Sequence, residues 1–184
     1  MNDSPIQKAA HELAKHFEEL GIDYAVAGAI ALAAHGLVRA TEDVDVLLSS
    51  EDLVRFKRIW LGRGYVELRA GGKAIRDTGH NVKIDFLIAG EFPGDGRPKP
   101  VVFPEPKAAS EAVGTFRVLT LPRLLELKLA SGMTAPHRLQ DLADVQRLIG
   151  VRQLPRETVE QLNPYVRAKF DELWLTMQRP PDDY

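Results

Sequence analysis

Two aspartates separated by one valine are the most informative feature of this 184-residue sequence. Asp43-Val44-Asp45 begins a segment, 43–48, that alternates acidic with aliphatic residues and then becomes apolar, which is typical of a β-strand with one end at solvent. Residues two apart on a strand point to the same side, so the two carboxylates are about 6 to 7 Å apart along it. Such oxygen ligands suit Mg²⁺ or Mn²⁺, whereas Zn²⁺ calls for His or Cys neighbours, which this segment lacks. Taken alone, such a pair is more often two solvated acids on an exposed face.

A third acid, Asp85, lies inside the apolar segment 82–89, which reads as a buried strand. A carboxylate in such surroundings needs a partner. If this strand lies beside 43–48, Asp85 joins the first two acids. Three carboxylates around two cations about 3.5 to 4 Å apart are an arrangement used for phosphoryl and nucleotidyl transfer. The alternative is an acid on an edge strand that faces water.

Gly28 stands between a short apolar strand, 24–27, and an alanine-rich helix, 29–35. A glycine turn in this position lets backbone N–H groups approach a phosphate, and the N-terminus of the helix adds positive potential. Many such glycines only turn the chain, so this signal is weak by itself.

Two charged residues in the C-terminal third occupy helix positions that should face inward. Lys128 falls in the middle of an apolar arc defined by the leucines of its helix, Leu121, Leu124, Leu125 and Leu129. Asp141, on the next helix, lies between the directions of Val145 and Leu148. Two interpretations stay open: a buried Lys128–Asp141 ion pair that joins the helices, or a lysine that binds a triphosphate and is oriented by the aspartate.

The spacing of these residues resembles that of the polymerase-beta-type nucleotidyltransferase superfamily. Gly28-Ala29 is followed after 13 residues by Asp43-Val44-Asp45, and Asp85 comes on a later strand. More narrowly, the string Arg-Ala-Thr-Glu-Asp-Val-Asp at 39–45 resembles the Arg-x-Thr-x-Asp-x-Asp string of AbiEii-like minimal nucleotidyltransferases. That group includes toxins of toxin–antitoxin pairs. The resemblance covers roughly residues 20–150.

The resemblance implies roles for individual residues. Asp43, Asp45 and Asp85 would be the catalytic residues and the ligands of Mg²⁺ or Mn²⁺. The nucleotide would be bound by a second set: Gly28, Ala29, Arg39, Thr41, Lys128 and Asp141. Arg39 would hold phosphate or pair with the acids. Ala29 stands where the superfamily usually has Ser or Gly, so a hydroxyl contact to the triphosphate is missing.

The implied reaction moves a nucleoside monophosphate from an NTP to an acceptor hydroxyl of RNA or protein. A toxin with an antitoxin protein as partner is one form of this expectation. The alternatives are a small-molecule, aminoglycoside-type nucleotidyltransferase and a catalytically weak nucleotide-binding module. A further alternative is an interaction protein that uses Phe170, Leu173 and Trp174 as a partner surface.

The elements that position these residues follow from apolar periodicity and turn residues. Helices are predicted from Ser4-Pro5 to Gly21, over 51–61 with Ser50 as cap, and from Thr120 to Ser131, where Gly132 ends the helix. Further helices are predicted over 136–149, near Arg156 and over 164–177. Strands are predicted at 65–69, 73–76, 82–89 and 116–119, with a proline-rich loop at 93–106.

This order predicts an α/β (α+β) fold: a mixed β-sheet nucleotidyltransferase core with helices on one face and a helical C-terminal part. We assign residues 1–119 to the core and 120–184 to a helical region packed on it, with a disordered tail at 179–184.

Composition narrows the classes of function. Twenty-four basic and 26 acidic residues give a net charge of −2, which argues against nucleic-acid binding through a broadly basic surface. There is no cysteine, so disulfides and thiolate metal sites are excluded. The absence of a Gly-x-Ser-x-Gly elbow leaves a hydrolase triad without an anchor. With no signal peptide and no membrane-length apolar segment, we expect a cytoplasmic protein that does not enter the membrane.

Overall fold

Seven strands form one mixed sheet in the computed structural model, which describes residues 4–178. The strands are β1 Ala25–Val26, β2 Asp43–Leu48, β3 Tyr65–Glu67, β4 Ala74–Asp77, β5 Val82–Ile88, β6 Ser110–Val113 and β7 Phe116–Leu119, in the order β3-β4-β5-β2-β1-β7-β6. The α-helices are α1 Pro5–Leu20, α2 Gly28–Ala34, α3 Ser50–Trp60, α4 Pro106–Ala109, α5 Leu121–Thr134, α6 Leu139–Arg152 and α7 Pro164–Met177. Two 3₁₀ helices cover Pro136–Arg138 and Arg156–Gln161. The predicted mixed α/β fold is confirmed.

Helix α1 begins and ends where its sequence signals predict. The Ser4 hydroxyl accepts a hydrogen bond from the Gln7 backbone N–H, and the Gln7 side chain accepts one from the Ser4 N–H, so both donors are satisfied. Gly21, in the left-handed conformation with φ of 61°, ends the helix. The inward face buries Leu13 and Phe17 completely.

The two faces of the central strands have different chemistry because side chains alternate along each strand. On one face, Val46 and Phe86 are buried beneath α1 and α3. Aromatic rings pack between these helices and the sheet: the ring centroid of Phe56 lies 5.2 Å from that of Phe17 and 6.1 Å from that of Phe86. The opposite face of β2 and β5 carries their charged residues.

The C-terminal helices join the same hydrophobic core as the sheet. Leu125 and Leu129 of α5 and Phe170 of α7 are fully buried and belong to one cluster with Val46 of β2. The division of the chain at residue 119 stays a prediction.

Helix α5 does not end at Gly132, as the sequence suggested, but continues to Thr134. A Cβ on Gly132 would lie 2.6 Å from the Leu142 Cγ. The glycine therefore allows α6 to approach α5 closely, rather than stopping the helix. A smaller correction concerns α3, whose cap is Ser49, not Ser50: the Ser49 hydroxyl accepts from the Asp52 N–H.

The short helix α4 and the strand β6 were not predicted, and they follow directly on the proline-rich loop. Strand β6 pairs antiparallel with β7 at one edge of the sheet. The tail that we expected to be disordered, 179–184, lies outside the described residues. Within 4–178, none of the helices combines the length and apolar character needed to cross a membrane.

Candidate active site

The three acids singled out from the sequence lie on adjacent parallel strands. Asp45 of β2 is in register with Asp85 of β5, and Asp43 is in register with Lys83. Register partners on neighbouring strands point to the same side of a sheet, and so do residues two apart on one strand. Asp43, Asp45 and Asp85 therefore share one face.

Burial and neighbouring negative charges both disfavour the ionised form of Asp45. Burial raises the pKa of this carboxyl to about 6, and the neighbouring charges of Asp43 and Asp85 push it in the same direction. Lys128 and Arg138 oppose the rise without cancelling it. A site with excess negative charge and only carboxylate oxygens as donors fits a hard divalent cation such as Mg²⁺ or Mn²⁺.

Asp85 forms an ion pair with Lys83 of the same strand. The Lys83 Nζ donates to Asp85 Oδ2 at 2.5 Å, and this hydrogen bond raises the pKa of Lys83. Sequence reasoning missed this residue, although its spacing of two from Asp85 places both side chains on one face. An ammonium thus neutralises part of the charge of the three acids.

Gly28 is required by Asp45. The glycine has φ of 55°, and a Cβ on it would overlap the Asp45 Oδ2 and lie 2.9 Å from its Cγ. The adjacent Ala27 N–H donates to the Asp45 carbonyl oxygen at 2.8 Å, which fixes the two backbones side by side. The start of α2 therefore lies directly against the carboxylate of Asp45.

A cleft of about 300 Å³ opens beside Asp45. One part of its lining is polar, with Gly28, Asp45, Lys128, Ser131, Arg138 and Asp141. Another part is apolar, with Leu87, Phe92, Phe103, Leu119, Leu124 and Leu127. The cleft thus joins Gly28, Asp45, Lys128 and Asp141, which the sequence indicated, whereas Asp43 and Asp85 lie outside its lining.

Lys128 is buried between two aspartates. Its Nζ donates to Asp141 Oδ1 at 2.9 Å and to Asp144 Oδ2 at 2.7 Å. Asp144 is completely buried, and its other oxygen accepts from Gln140 Nε2 at 2.9 Å. The Lys128–Asp141 ion pair, one of the two interpretations left open by the sequence, is present, and Asp144 extends it. The signal for Asp144 was its spacing of three from Asp141, which puts both on one face of α6.

Arg138 completes this network at the mouth of the cleft. Its Nε donates to Asp141 Oδ2 at 2.8 Å and to the Ser131 hydroxyl at 3.2 Å. Burial raises the pKa of Asp141, but Lys128 and Arg138 outweigh it, so that the pKa lies below its usual range. Asp141 is therefore ionised at neutral pH and orients both cations.

Three of the predicted nucleotide-binding residues do not reach this cleft. Ala29, Arg39 and Thr41 line a second cavity of about 700 Å³. Thr41 donates its hydroxyl hydrogen to Asp43 Oδ1 at 2.8 Å, and the Arg39 Nε lies 3.4 Å from Asp144 Oδ2. Within residues 4–178 this Nε has no aligned hydrogen-bond acceptor. Arg39 and Thr41 thus contact residues of the site but line a different cavity, and their role in nucleotide binding stays a prediction.

A separate group of potential metal ligands lies on the other face of the sheet. The side-chain atoms of Glu12, Asp77 and His80 approach within 4.8 Å of one another, the only such group in the described part of the chain. Asp77 pairs with Val82 in the sheet, so its side chain lies on the apolar face, opposite Asp85. The side-chain oxygens of Asp43, Asp45 and Asp85 do not all approach within 4.8 Å of one another.

Several solved protein structures share the overall fold of this chain. No protein-family profile and no curated protein matches the sequence. Among solved structures, ANT(2″)-Ia in complex with adenylyl-2″-tobramycin is similar, at 15% identity and a TM-score of 0.59, over 90% of this chain and 96% of that one. The solution structure of the antibiotic-resistance factor ANT(2″)-Ia is 14% identical, with a TM-score of 0.56, and the match covers 91% of this chain and 92% of that one. JHP933 from Helicobacter pylori is 13% identical, with a TM-score of 0.50, and the match covers 96% of this chain and 81% of that one. These identities define the fold alone, and the AbiEii-like assignment stays a prediction.

Proposed function

We propose that the protein transfers a nucleoside monophosphate from an NTP to an acceptor hydroxyl with the help of a divalent metal. The observation that carries this proposal is the register of Asp45 with Asp85, with Asp43 on the same face. Gly28 lies directly against this group, and Lys128 lines the same cleft as Asp45.

Asp43, Asp45 and Asp85 would hold Mg²⁺ or Mn²⁺. A bound divalent ion would neutralise phosphate charge and lower the pKa of a coordinated hydroxyl. The raised pKa of Asp45 supports this assignment, because a bound cation would offset both its burial and the repulsion from Asp43 and Asp85.

The residues of the cleft would bind and orient the nucleotide. Lys128 and Arg138 provide the positive charge for the triphosphate, and Asp141 holds both in place. Gly28 brings backbone close to the same region without a side chain. Catalysis would be mainly positioning and electrostatic stabilisation.

The proposed reaction is a displacement at the α-phosphorus. The acceptor oxygen forms a bond to this phosphorus while the bond to the bridging oxygen of the β-phosphate breaks, and pyrophosphate leaves with the bonding electrons. The hydroxyl proton passes to the Asp85 carboxylate. Lys83 donates to Oδ2 of Asp85, so Oδ1 is the oxygen that would accept the proton.

The acceptor divides the proposal into two candidates. The string at 39–45 resembles AbiEii-like enzymes and favours RNA or protein as acceptor, with a toxin and an antitoxin partner as one form. The match to almost the whole length of ANT(2″)-Ia, together with a net charge of −2, favours a small molecule of the aminoglycoside type as second candidate. A nucleotide-binding module without turnover would bind NTP and release no pyrophosphate.

The test is incorporation of α-³²P-labelled NTP, with Mg²⁺ or Mn²⁺, into an RNA fraction, a protein fraction and an aminoglycoside panel. We expect one fraction to be labelled by the wild type and not by Asp45→Asn. Asp23→Asn is the matched control, since Asp23 is exposed and outside the site. Equal labelling by wild type and Asp45→Asn would reject the proposal.

A further inference from the structure

One wall of the cleft is a loop that is held closed by its own hydrogen bonds. The Gly90 N–H donates to the Phe103 carbonyl and the Phe103 N–H to the Glu91 carbonyl, both at 2.8 Å. These two bonds join the ends of the loop 90–103. The loop presents Phe92 and Phe103 to the cleft.

A buried lysine fastens the interior of this loop. The Lys99 side chain is only 4% exposed. Its Nζ donates to the Pro93 carbonyl at 2.7 Å and to Asp95 Oδ1 at 2.6 Å, and it lies 5.9 Å from the centroid of the Phe92 ring. The backbone around Phe92 is thereby fixed before any ligand arrives.

The tip of the loop is packed against α5. Gly94 has φ of 75°, and a Cβ on it would overlap the Thr134 hydroxyl and lie 2.9 Å from the Ser131 carbonyl oxygen. The loop therefore has no room to shift towards the helix that carries Lys128. Phe92 lies in this packed loop and lines the same cleft as Lys128 and Arg138.

The two aromatic residues of this wall differ in their packing. Phe103 packs against the hydrophobic core, whereas Phe92 is half-buried and is not part of that packing. A half-buried ring beside a cleft offers apolar surface to a ligand. Phe92 is thus the available aromatic surface on this side of the cleft.

The cleft lining contains both kinds of residue that a nucleotide needs. A nucleobase has apolar faces that stack on aromatic rings, and a triphosphate requires cations. The lining includes the aromatic ring of Phe92 and the cations of Lys128 and Arg138. The acceptor would approach from Asp85, which lies outside this lining.

We propose that Phe92, held by the loop 90–103, is the surface on which the base of the bound NTP stacks. This inference rests on the proposed function and adds the residue that binds the base. Stacking tolerates every base, so Phe92 contributes affinity and does not select among the four.

The experiment compares two ligands that differ in the base. Binding of ATP and of inorganic tripolyphosphate, each with Mn²⁺, is measured by calorimetry on the full chain. Wild type, Phe92→Ala and Phe92→Tyr are compared, with circular dichroism to verify folding. Tyrosine is the matched control because it keeps the aromatic ring.

We expect wild type to bind ATP more tightly than tripolyphosphate. Phe92→Ala should weaken ATP by about tenfold, leave tripolyphosphate unchanged, and so remove the difference. Phe92→Tyr should restore it. Unchanged ATP affinity in Phe92→Ala, or an equal loss for both ligands, would overturn the role of Phe92 and leave the proposed function standing. If wild type binds neither ATP nor tripolyphosphate, the proposed function itself is rejected.

Discussion

Gly28 shows how tightly single residues define this site. Two separate features require a glycine at this position: the positive φ of the backbone and the contact with the Asp45 carboxylate. Only the contact involves a residue of the candidate active site. The sequence indicated a glycine turn but gave no sign of the carboxylate against it, because the approach depends on β1 pairing with β2.

Replacement of Gly28 by alanine separates these demands when it is compared with Gly21→Ala. Both glycines have φ near 60°, but a Cβ at Gly21 meets nothing within 4 Å. Gly21→Ala should cost about 1 kcal/mol of unfolding free energy, from backbone strain alone. Gly28→Ala should cost at least about 2 kcal/mol more, because Asp45 must move. Urea denaturation measures both, and equal losses would show that the contact with Asp45 is easily relaxed.

Asp45→Asn should stabilise the metal-free protein at neutral pH. The pKa of Asp45 is raised to about 6 in the folded protein from an ordinary 3.8, so folding favours the protonated form. Its stabilising contribution is complete below about pH 3.8 and is lost as the pH rises through about 6. Asparagine keeps a neutral group at every pH, so the variant should be more stable than wild type by roughly 1–3 kcal/mol at pH 7.5.

The measurement is thermal and urea unfolding in chelator at several pH values between 4 and 8. The advantage of Asp45→Asn should grow with pH across this window, whereas Asp23→Asn should show no such trend. A variant that is less stable than wild type at pH 7.5 would contradict the electrostatic account of Asp45.

The residues of the site that the sequence indicated are those with unusual positions in a simple pattern. Asp85 stands out inside an apolar strand, and Lys128 stands out on a leucine face. Asp144 and Lys83 were missed because charged residues in α6 and at a strand end are ordinary until their partners are known. Whether a charged side chain is paired depends on contacts between different helices and strands, and local sequence spacing does not reveal these contacts.

At the scale of elements, α5 and α6 are joined by charge as well as by apolar packing. Lys128 faces Asp141 and Asp144, and Gly132 lets the two helix backbones come close enough for these contacts. From the sequence, Gly132 was interpreted as the end of the helix, because glycine is common both at helix ends and where two helices pack closely. The position of Leu142 in the structure shows that close packing is the reason here. The strand β6 was likewise hidden, since its residues 110–113 lack an apolar alternation and pair only with β7.

Lys128→Met should destabilise the protein strongly. It leaves the fully buried Asp144 without its main cation, and breaking such a pair from one side costs about 3–5 kcal/mol. Lys169→Met is the control: Lys169 pairs with the exposed Glu172, a contact worth at most about 1 kcal/mol. Adding Asp144→Asn to Lys128→Met should recover part of the loss in urea unfolding. A loss as small as that of Lys169→Met would mean that Asp144 takes up a proton or water instead.

At the scale of the whole molecule, the hydrophobic core crosses the boundary that we predicted at residue 119. Leu125 and Leu129 are buried in the same cluster as Val46. Neither the sheet nor the helical part can therefore exclude water from its inner surface alone. The sequence indicated the mixed sheet because helices alternate with strands in its first half, but it did not indicate how the last helices close the cleft.

The two tryptophans of the chain can be used to test whether the sheet and the C-terminal helices unfold together. Trp60 lies in α3 and Trp174 in α7. In the single-tryptophan variants Trp60→Phe and Trp174→Phe, we expect fluorescence to give the same urea midpoint as circular dichroism, because one core unfolds in one step. A clearly lower midpoint for the Trp174 signal would show that the helical part unfolds independently.

The ion pair between Lys83 and Asp85 has a practical consequence for handling the protein. Because the Lys83 ammonium already offsets part of the negative charge of this face, removal of metal by a chelator should leave the protein folded. If the proposed function holds, the chelator should abolish nucleotide transfer, and added Mn²⁺ should restore it within the mixing time, with no delay for refolding. Loss of activity and loss of structure would then be two separate events.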